Sequence, residues 1–319
     1  MADALRVATF HTGLSRKGPG VMLRDLQRGK DPQSTAVVNL LAWTEADVLV
    51  LLDIDWDLGG RGLDALVQRL AEAGQEYPYR VNLRPNAGRP SGHDLDSNGH
   101  LGDARDALGY GRFMGDGGLA VLSKHPVGPA ADHSGVLWRD MPDGAARDLY
   151  PPAILDNLPV ATVAQWAVPI TVGNTTITLI PLAAGPPVFD GPEDRNGLRN
   201  RDELRFAARL VDDVPHPIVI GRANLDPDKG EGHPDALRAL LDHGALQDTR
   251  PEWQDRGQAR MDTVNWQGPG PMRVDYLLAD RGLGVRASGV LWPSADDTLF
   301  KSVEAAGPSR VVWADLTLP

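Results

Sequence analysis

Short apolar runs alternate with polar, glycine-rich stretches along this chain. Runs rich in Val, Ile and Leu are typical of β-strands, and they lie at residues 5–10, 47–53, 119–123, 170–179, 217–221, 273–277 and 311–316. The run at 47–53 is continuous and ends in a carboxylate, which indicates a strand buried on both faces. The run at 170–179 predicts a hairpin that turns at Gly173 and Asn174.

Other segments place their apolar residues at helical spacing instead. They predict helices over residues 36–45, 63–73 and 200–211, with Ser34 or Thr35 as the cap of the first. Residues 84–118 are rich in Gly, Asp and Asn and predict a long surface loop, a feature that is often functional.

The order of these elements favours one α/β domain over residues 1–319. Strands outnumber helices and occur at both ends of the chain, and no linker, internal repeat or block of charge divides it. We therefore expect sheets packed against each other, with helices on the outside.

Composition narrows the classes of function. Of the 319 residues 42% are hydrophobic, enough for a substantial core, and the formal net charge is -11. This charge disfavours sequence-independent binding of nucleic acid, which needs Lys and Arg to displace counterions. The absence of cysteine excludes disulfides, thiolate metal sites and cysteine nucleophiles.

No apolar run approaches the ~20 residues of a membrane span, so we expect no membrane insertion. No signal peptide is visible, which predicts a cytoplasmic protein as the sequence stands, or an exported one if a signal has been removed. We also expect a monomer.

Several short stretches form a pattern in their order and spacing. They are Thr-Phe-His at 9–11, Val-Leu-Leu-Asp-Ile-Asp at 50–55, Gly-Gly-Leu-Ala-Val-Leu-Ser-Lys-His-Pro at 117–126, the Pro-Pro segment at 186–203, Gly-Arg-Ala-Asn-Leu-Asp-Pro at 221–227 and Arg-Val-Asp-Tyr at 273–276. Together they resemble the endonuclease/exonuclease/phosphatase superfamily, which includes deoxyribonuclease I and apurinic endonucleases, and most closely a bacterial branch of it.

The resemblance implies two packed mixed β-sheets flanked by helices, a four-layer α/β sandwich. It also implies a site at the strand ends that holds Mg or Mn. In that family a carboxylate binds the metal, an Asp activates water, an Asn orients the water, and two His stabilise the phosphoryl group by charge and position.

Most of the positions that carry this chemistry are replaced here. The positions equivalent to the family's site are His11, Asp53, Ala183, Arg222, Asn224, Asp275, Pro308 and Ser309. Only Asn224 and Asp275 keep the family residue. Asp53 replaces Glu and retains a carboxylate that could bind a metal ion.

Arg222 stands where the resemblance places the water-activating Asp. Arginine cannot accept a proton in a protein, and loss of a general base lowers a rate by ~10²–10⁴. Arg222 could pair with Asp53 or Asp275 and fill the pocket, or form an anion site with His11. A third interpretation is a rebuilt site that uses His11 as the base.

Two loops add candidate residues. Asp94, Asp96 and Asn98, followed by Gly99 and the carbonyl of His100, match the start of a calcium-binding loop, in which Asp103 or Asp106 could replace the missing final Glu. The alternative is a solvated turn.

The second loop, at residues 190–197, lines the cleft in one interpretation, through Asp190, Glu193, Asp194 and Asn196. In the other it is a capped loop, with Asp202 and Glu203 completing the first helical turn.

The sequence leaves two functions open. The first is a catalytically impaired or inactive homologue that binds a small phosphorylated ligand or a protein partner. The second is a divalent-metal phosphodiesterase or phosphatase with an altered site. The position of Arg222 relative to Asp53 discriminates between them.

Overall fold

The computed structural model describes residues 4–319. Its strands, in chain order, are β1 Leu5–His11, β2 Val48–Ile54, β3 Tyr79–Val81, β4 Gly118–Ser123, β5 Ala131–Asp132, β6 Trp166–Val172, β7 Thr175–Ala183, β8 Pro217–Arg222, β9 Leu246–Asp248, β10 Trp253–Asp255, β11 Gln258–Arg260, β12 Val264–Trp266, β13 Gly270–Met272, β14 Asp275–Asp280, β15 Gly284–Val290 and β16 Val312–Thr317.

The helices, in chain order, are α1 Val21–Arg28, α2 Pro32–Thr44, α3 Arg61–Glu72, α4 Ala146–Leu149, α5 Pro152–Leu155, α6 Arg195–Val211, α7 Pro234–Leu241 and α8 Phe300–Ala306. Within residues 4–319, none of these helices has the length and apolar character needed to span a membrane.

Twelve of the strands form two mixed sheets of six. Sheet A has the order β15-β16-β1-β2-β4-β3 and sheet B the order β5-β6-β7-β8-β14-β9. Each sheet contains one parallel pair, β1 with β2 and β7 with β8, among antiparallel neighbours. The carboxyl ends of a parallel pair lie at the same edge of a sheet. This edge, where His11, Asp53, Ala183 and Arg222 lie, is called the site edge below.

Apolar side chains fill three layers between these elements. One core lies between the two sheets, with Val7 and Val50 of sheet A packed in the same cluster as Ile218 and Leu277 of sheet B. A second core joins sheet A to α1, α2, α3 and α8, and a third joins sheet B to α4–α7. The expected four-layer α/β sandwich is confirmed.

The predicted strands and the hairpin at Gly173 and Asn174 are confirmed, with bounds that shift by a few residues. Residues 82–117 contain no regular element, as expected for the long loop. The predicted cap of α2 was wrong. The helix begins at Pro32, and the Asp31 carboxylate accepts a hydrogen bond from the Ser34 amide at 2.7 Å. The amide hydrogen of the first helical residue has no partner within the helix. Proline, which lacks this hydrogen, therefore loses nothing at position 32.

The predicted start of α6 was also wrong, because the helix begins at Arg195, five residues before 200. Asp202 and Glu203 therefore lie inside the helix and are buried. Asp202 accepts hydrogen bonds from Trp138 Nε1 at 2.7 Å and from the Ala145 amide at 2.8 Å. Their carboxylates bind neighbouring segments rather than capping a first turn.

Asp202→Ala should lower the free energy of unfolding by about 2–4 kcal/mol, because two buried donors lose their acceptor. Urea denaturation measures the effect. Asp213→Ala, at an exposed position just after α6, should change it by less than ~0.5 kcal/mol. Equal losses in the two variants would contradict a structural role for the Asp202 carboxylate.

Candidate functional site

The strand register of sheet B places three candidate residues side by side. Ala183 at the end of β7 pairs with Arg222 at the end of β8, and Arg222 pairs with Asp275 at the start of β14. Gly221 permits this arrangement. It has φ 133, and a Cβ there would lie 2.2 Å from the Leu182 carbonyl oxygen, so no side chain fits.

Arg222 forms a buried, two-pronged ion pair with Asp275. Its Nε and Nη2 donate to Oδ1 and Oδ2 of Asp275, each at 2.8 Å, and Nη2 also donates to Ser309 Oγ at 2.9 Å. The side chains of Arg222 and Asp275 are 5% and 3% exposed. Such paired geometry is the strongest hydrogen-bonding arrangement available to arginine. Of the two expected partners, Asp275 is the one that Arg222 binds.

His11 and Asp53 face each other at the ends of β1 and β2. Nδ1 of His11 lies 3.9 Å from Oδ2 of Asp53, and both side chains are partly exposed. Burial raises the pKa of Asp53 to about 6, against the opposing charge of Arg222. Burial, and then the charge of Arg222, lower the pKa of His11 well below its ordinary value. At neutral pH the pair is therefore an ionised carboxylate beside a neutral imidazole.

Asn224 is held by the neighbouring strand. Its Nδ2 donates to the Ala184 carbonyl oxygen at 2.7 Å, and its backbone is left-handed with φ 53. Asparagine tolerates this conformation better than most residues. The side-chain oxygen of Asn224 makes no hydrogen bond with residues 4–319.

Pro308 and Ser309 close the site edge from the loop before β16. The Pro308 carbonyl oxygen accepts from the Asn265 amide at 2.9 Å, and Ser309 forms a bridge with Val264. Ala183 and Pro308 bring no hydrogen-bonding side chain. The two positions that the resemblance assigns to histidines therefore supply only Ala183 and the Ser309 hydroxyl, which Arg222 already uses.

A second group of polar side chains beside Asp53 was missed by the sequence analysis. Asp116 is buried, and it accepts hydrogen bonds from Ser15 Oγ and from Arg112 Nε, the latter at 2.8 Å. Burial raises the pKa of Asp116, but the bonds from Arg112 and Ser15 outweigh it and hold that pKa below its ordinary value. Asp116 lies at the end of the long loop. The one signal in the sequence for its position near the site is that it comes just before β4.

Asp55 belongs to the same group. Its Oδ2 accepts from the Arg16 amide at 3.2 Å, whereas its buried Oδ1 has no hydrogen-bond partner within residues 4–319. Burial raises the pKa of Asp55 to about 6. Ionising a buried carboxylate whose oxygen has no hydrogen-bond donor costs free energy. Asp55 therefore takes up a proton in mildly acidic solution more readily than an exposed aspartate does.

The loop before α6 uses its polar groups mainly on itself. Asp190 accepts from the Asn196 amide, Asn196 Nδ2 donates to the Val188 carbonyl oxygen at 2.7 Å, and Glu193 lies 4.0 Å from Arg195. Asp194 binds His233 Nε2 at 2.7 Å. In residues 4–319 no hydrogen bond or ion pair joins the four predicted cleft residues to Arg222, Asp53 or Asp275. Their place in the cleft stays a prediction.

The glycine-rich loop brings three carboxylates together. One oxygen each from Asp94, Asp96 and Asp106 lies within 4.8 Å of the others, and within residues 4–319 this is the one such group with metal-binding geometry. Asn98 turns its Nδ2 toward Asp96 at 3.2 Å and Asp103 at 2.8 Å, and its Oδ1 accepts from the His100 amide at 2.7 Å. The structure thus groups Asp106, rather than Asn98 and His100, with Asp94 and Asp96. Carboxylates so placed could hold a cation.

A divalent ion fits poorly at the site edge. Both oxygens of Asp275 bind Arg222. The fixed charge of Arg222 also reaches Asp53, where it opposes the rise in pKa that burial causes, and His11, where it adds to the lowering of the pKa. Asp53 is the remaining candidate ligand among the family-equivalent carboxylates. Asp55 and Asp116 lie in the same region, but within residues 4–319 no group of ligand atoms with metal-binding geometry forms around Asp53. With a buried guanidinium close by, these residues do not make a site for an oxygen-liganded cation.

Arg222→Met should lower the free energy of unfolding by about 3–5 kcal/mol, because it leaves the Asp275 carboxylate buried without a partner. Adding Asp275→Leu should recover most of this loss. The matched control is Arg238→Met in an exposed pair with Asp235, which should cost at most ~1 kcal/mol. Chemical denaturation measures all three variants, and a similar loss for Arg222→Met and Arg238→Met would contradict the buried pair.

Several solved structures have the same fold as this chain. A search of curated proteins finds no match. Among solved structures, the chain resembles an endonuclease/exonuclease/phosphatase from Beutenbergia cavernae with a TM-score of 0.60 and 19% identity, covering 99% of this chain and 72% of that chain. A family protein from Leptotrichia buccalis gives a TM-score of 0.59 and 12% identity over 98% of each chain.

Sphingomyelinase C from Streptomyces griseocarneus gives a TM-score of 0.52 and 16% identity over 98% of this chain and 99% of that chain. At these identities the structures share the fold. The model of the Endonuclease/Exonuclease/phosphatase family matches residues 23–310. Since that match covers most of the chain, this chain belongs to the endonuclease/exonuclease/phosphatase family.

Proposed function

We propose that this chain is a catalytically impaired member of its family that binds a ligand or a protein partner at the site edge. The observation that carries the proposal is the buried pair of Arg222 with Asp275. Arg222 stands where the resemblance calls for the base that activates water. A guanidinium cannot accept the proton that hydrolysis requires a base to remove.

The charges at the site edge indicate the kind of ligand. Arg222 directs its hydrogen bonds to Asp275 and Ser309, and the Asp53 carboxylate lies beside the neutral imidazole of His11. A phosphate group would have to approach that carboxylate, which disfavours it. Of the two ligand classes expected, a protein partner that presents hydrogen-bond donors to Asp53 and to the side-chain oxygen of Asn224 fits better.

The chain should not hydrolyse bis-p-nitrophenyl phosphate, p-nitrophenyl phosphate or plasmid DNA above the protein-free rate with Mg, Mn or Ca, because no base faces the site edge at the Arg222 position. Rates with and without EDTA measure this. Hydrolysis by the parent protein that a chelator abolishes would overturn the proposal. It would favour the second candidate function, a metal-dependent phosphoesterase built on Asp53 and His11.

Arg222→Asp, with Arg222→Asn as the matched control, is tested both for hydrolysis and for the effect of metal ions on Tm. Arg222→Asp sets two carboxylates side by side, so Mg or Mn should raise its Tm more than that of the parent or of Arg222→Asn, by binding only the folded state. Chelator-sensitive hydrolysis gained by Arg222→Asp alone would show that Arg222 disables the site. An equal effect of metal on the Tm of all three proteins would contradict the idea that Arg222 excludes the cation.

The Asp94, Asp96 and Asp106 group supports a second proposal, a structural calcium site in the long loop. The three carboxylates repel one another, and Asp106 also fixes the loop by accepting from the Leu95 amide at 2.8 Å and the Gly102 amide at 2.6 Å. A cation bound there would relieve the repulsion and stabilise the folded loop.

Calcium should therefore raise the Tm of the parent, and Asp96→Asn should remove most of that increase while Asp213→Asn leaves it intact. Differential scanning fluorimetry with CaCl₂ and, separately, MgCl₂ measures the shift. The absence of any calcium-dependent shift in the parent, or an unchanged shift in Asp96→Asn, would rule out a calcium site at this group.

A further inference from the structure

An open cavity of about 320 Å³ lies between α6 and α7, in the helical layer outside sheet B. Its walls include Arg201 and Arg205 of α6, together with Gly232, His233 and Asp235 at the start of α7. None of the residues of the site edge lines it. Its volume is at the lower end of the range for small-ligand sites, ~300–1,000 Å³.

Two guanidinium groups share one buried carboxylate at the wall of this cavity. Arg201 and Arg205 are four residues apart, so they lie on the same face of α6. Arg201 Nε donates to Asp202 Oδ1 at 2.9 Å, and Arg205 Nη1 lies 3.7 Å from the same oxygen. The other oxygen of Asp202 is taken by Trp138 and Ala145. One negative charge therefore faces two positive charges.

Several of the arginine donors are left without protein acceptors. Arg201 Nη2 and Arg205 Nη1 reach the Asp143 carbonyl oxygen at 3.5 and 3.4 Å, which are long hydrogen bonds. Within residues 4–319, Arg201 Nη1 and both Nε and Nη2 of Arg205 have no hydrogen-bond acceptor. These donors belong to side chains that line the cavity.

The acidic groups near the cavity are directed elsewhere. The Asp235 side chain is 95% exposed and lies 3.2 Å from Arg238 Nη1. Asp194 holds Nε2 of His233 at 2.7 Å. Each of these carboxylates has a cationic or polar partner of its own, so neither cancels the excess positive charge of Arg201 and Arg205.

We propose that this cavity binds the phosphate group of a small phosphomonoester. Arginine presents a planar fork of donors that matches phosphate oxygens, and two arginines line this one cavity. The rest of the molecule is acidic, so the attraction is local to the cavity and acts at short range.

Titration with inorganic phosphate, followed by backbone amide chemical shifts and by calorimetry, tests the proposal on the intact chain. Saturable shifts are expected at Gly232 and His233. Arg205→Gln should weaken phosphate binding about tenfold, since it removes charge-assisted hydrogen bonds. The Arg205 side chain is 45% exposed, so this variant should keep the fold.

Arg209→Gln is the matched control, because it removes the same charge from an exposed position one turn further along α6, outside the cavity. It should leave the affinity unchanged. Absence of saturable binding in the parent, or equal weakening by Arg205→Gln and Arg209→Gln, would overturn the site.

A parallel titration with glycerol 3-phosphate separates a phosphomonoester site from a site for the free ion. Binding at least as tight as that of inorganic phosphate, with the same dependence on Arg205, is the expected result. Exclusion of the ester while inorganic phosphate still binds would overturn the assignment of the ligand class.

Discussion

The apolar contact between the two sheets decides where every polar group at their edges lies. Val7, Val50, Ile218 and Leu277 pack in one cluster between the sheets, which holds the two parallel strand pairs face to face. The carboxyl ends of both pairs then meet at one edge. Polar side chains that follow those strands enter a region already shielded from water, where any charge must find a partner or change its protonation state.

The charged groups of the site edge respond to this shielding in two ways. Arg222 and Asp275 satisfy each other through two short hydrogen bonds, with Ser309 as an additional acceptor. Asp53 and Asp55 lack such partners, and burial raises the pKa of each to about 6. A pair of opposite charges thus lies buried at the site edge, where each group satisfies the other and the guanidinium cannot accept a proton.

Helix α6 connects the site edge to the outer face of the molecule. Glu203 accepts from the Thr162 amide at 2.6 Å and from the Gly185 amide, just after β7, at 2.7 Å. Arg199, on the same helix, donates to the Leu108 carbonyl oxygen of the long loop at 2.6 Å. The helix therefore fixes the loops beside the site edge, while its neighbouring residues Arg201 and Arg205 face the cavity on the other side.

The sequence by itself determined β1, β2, β4, β6, β7, β8, β14 and β16, the hairpin at Gly173, the family resemblance and the identities of the replaced residues. These follow from local signals, because apolar periodicity and short motifs survive in the order of the residues. It could not choose between Asp53 and Asp275 as the partner of Arg222. That choice depends on the register of β8 against β14, which sets the two residues side by side.

The tertiary structure also decided which carboxylates cooperate. Asp106 joins Asp94 and Asp96, Asp116 joins Ser15 and Arg112, and Asp202 supports Trp138 from the middle of a helix. The calcium-loop pattern offered Asp106 beside Asp103 without choosing between them, whereas Ser15 with Asp116 and Trp138 with Asp202 are separated by about a hundred and about sixty residues, and no local pattern marks those pairs. Their pairing arises because buried polar groups must be satisfied by whatever donors the fold brings within reach.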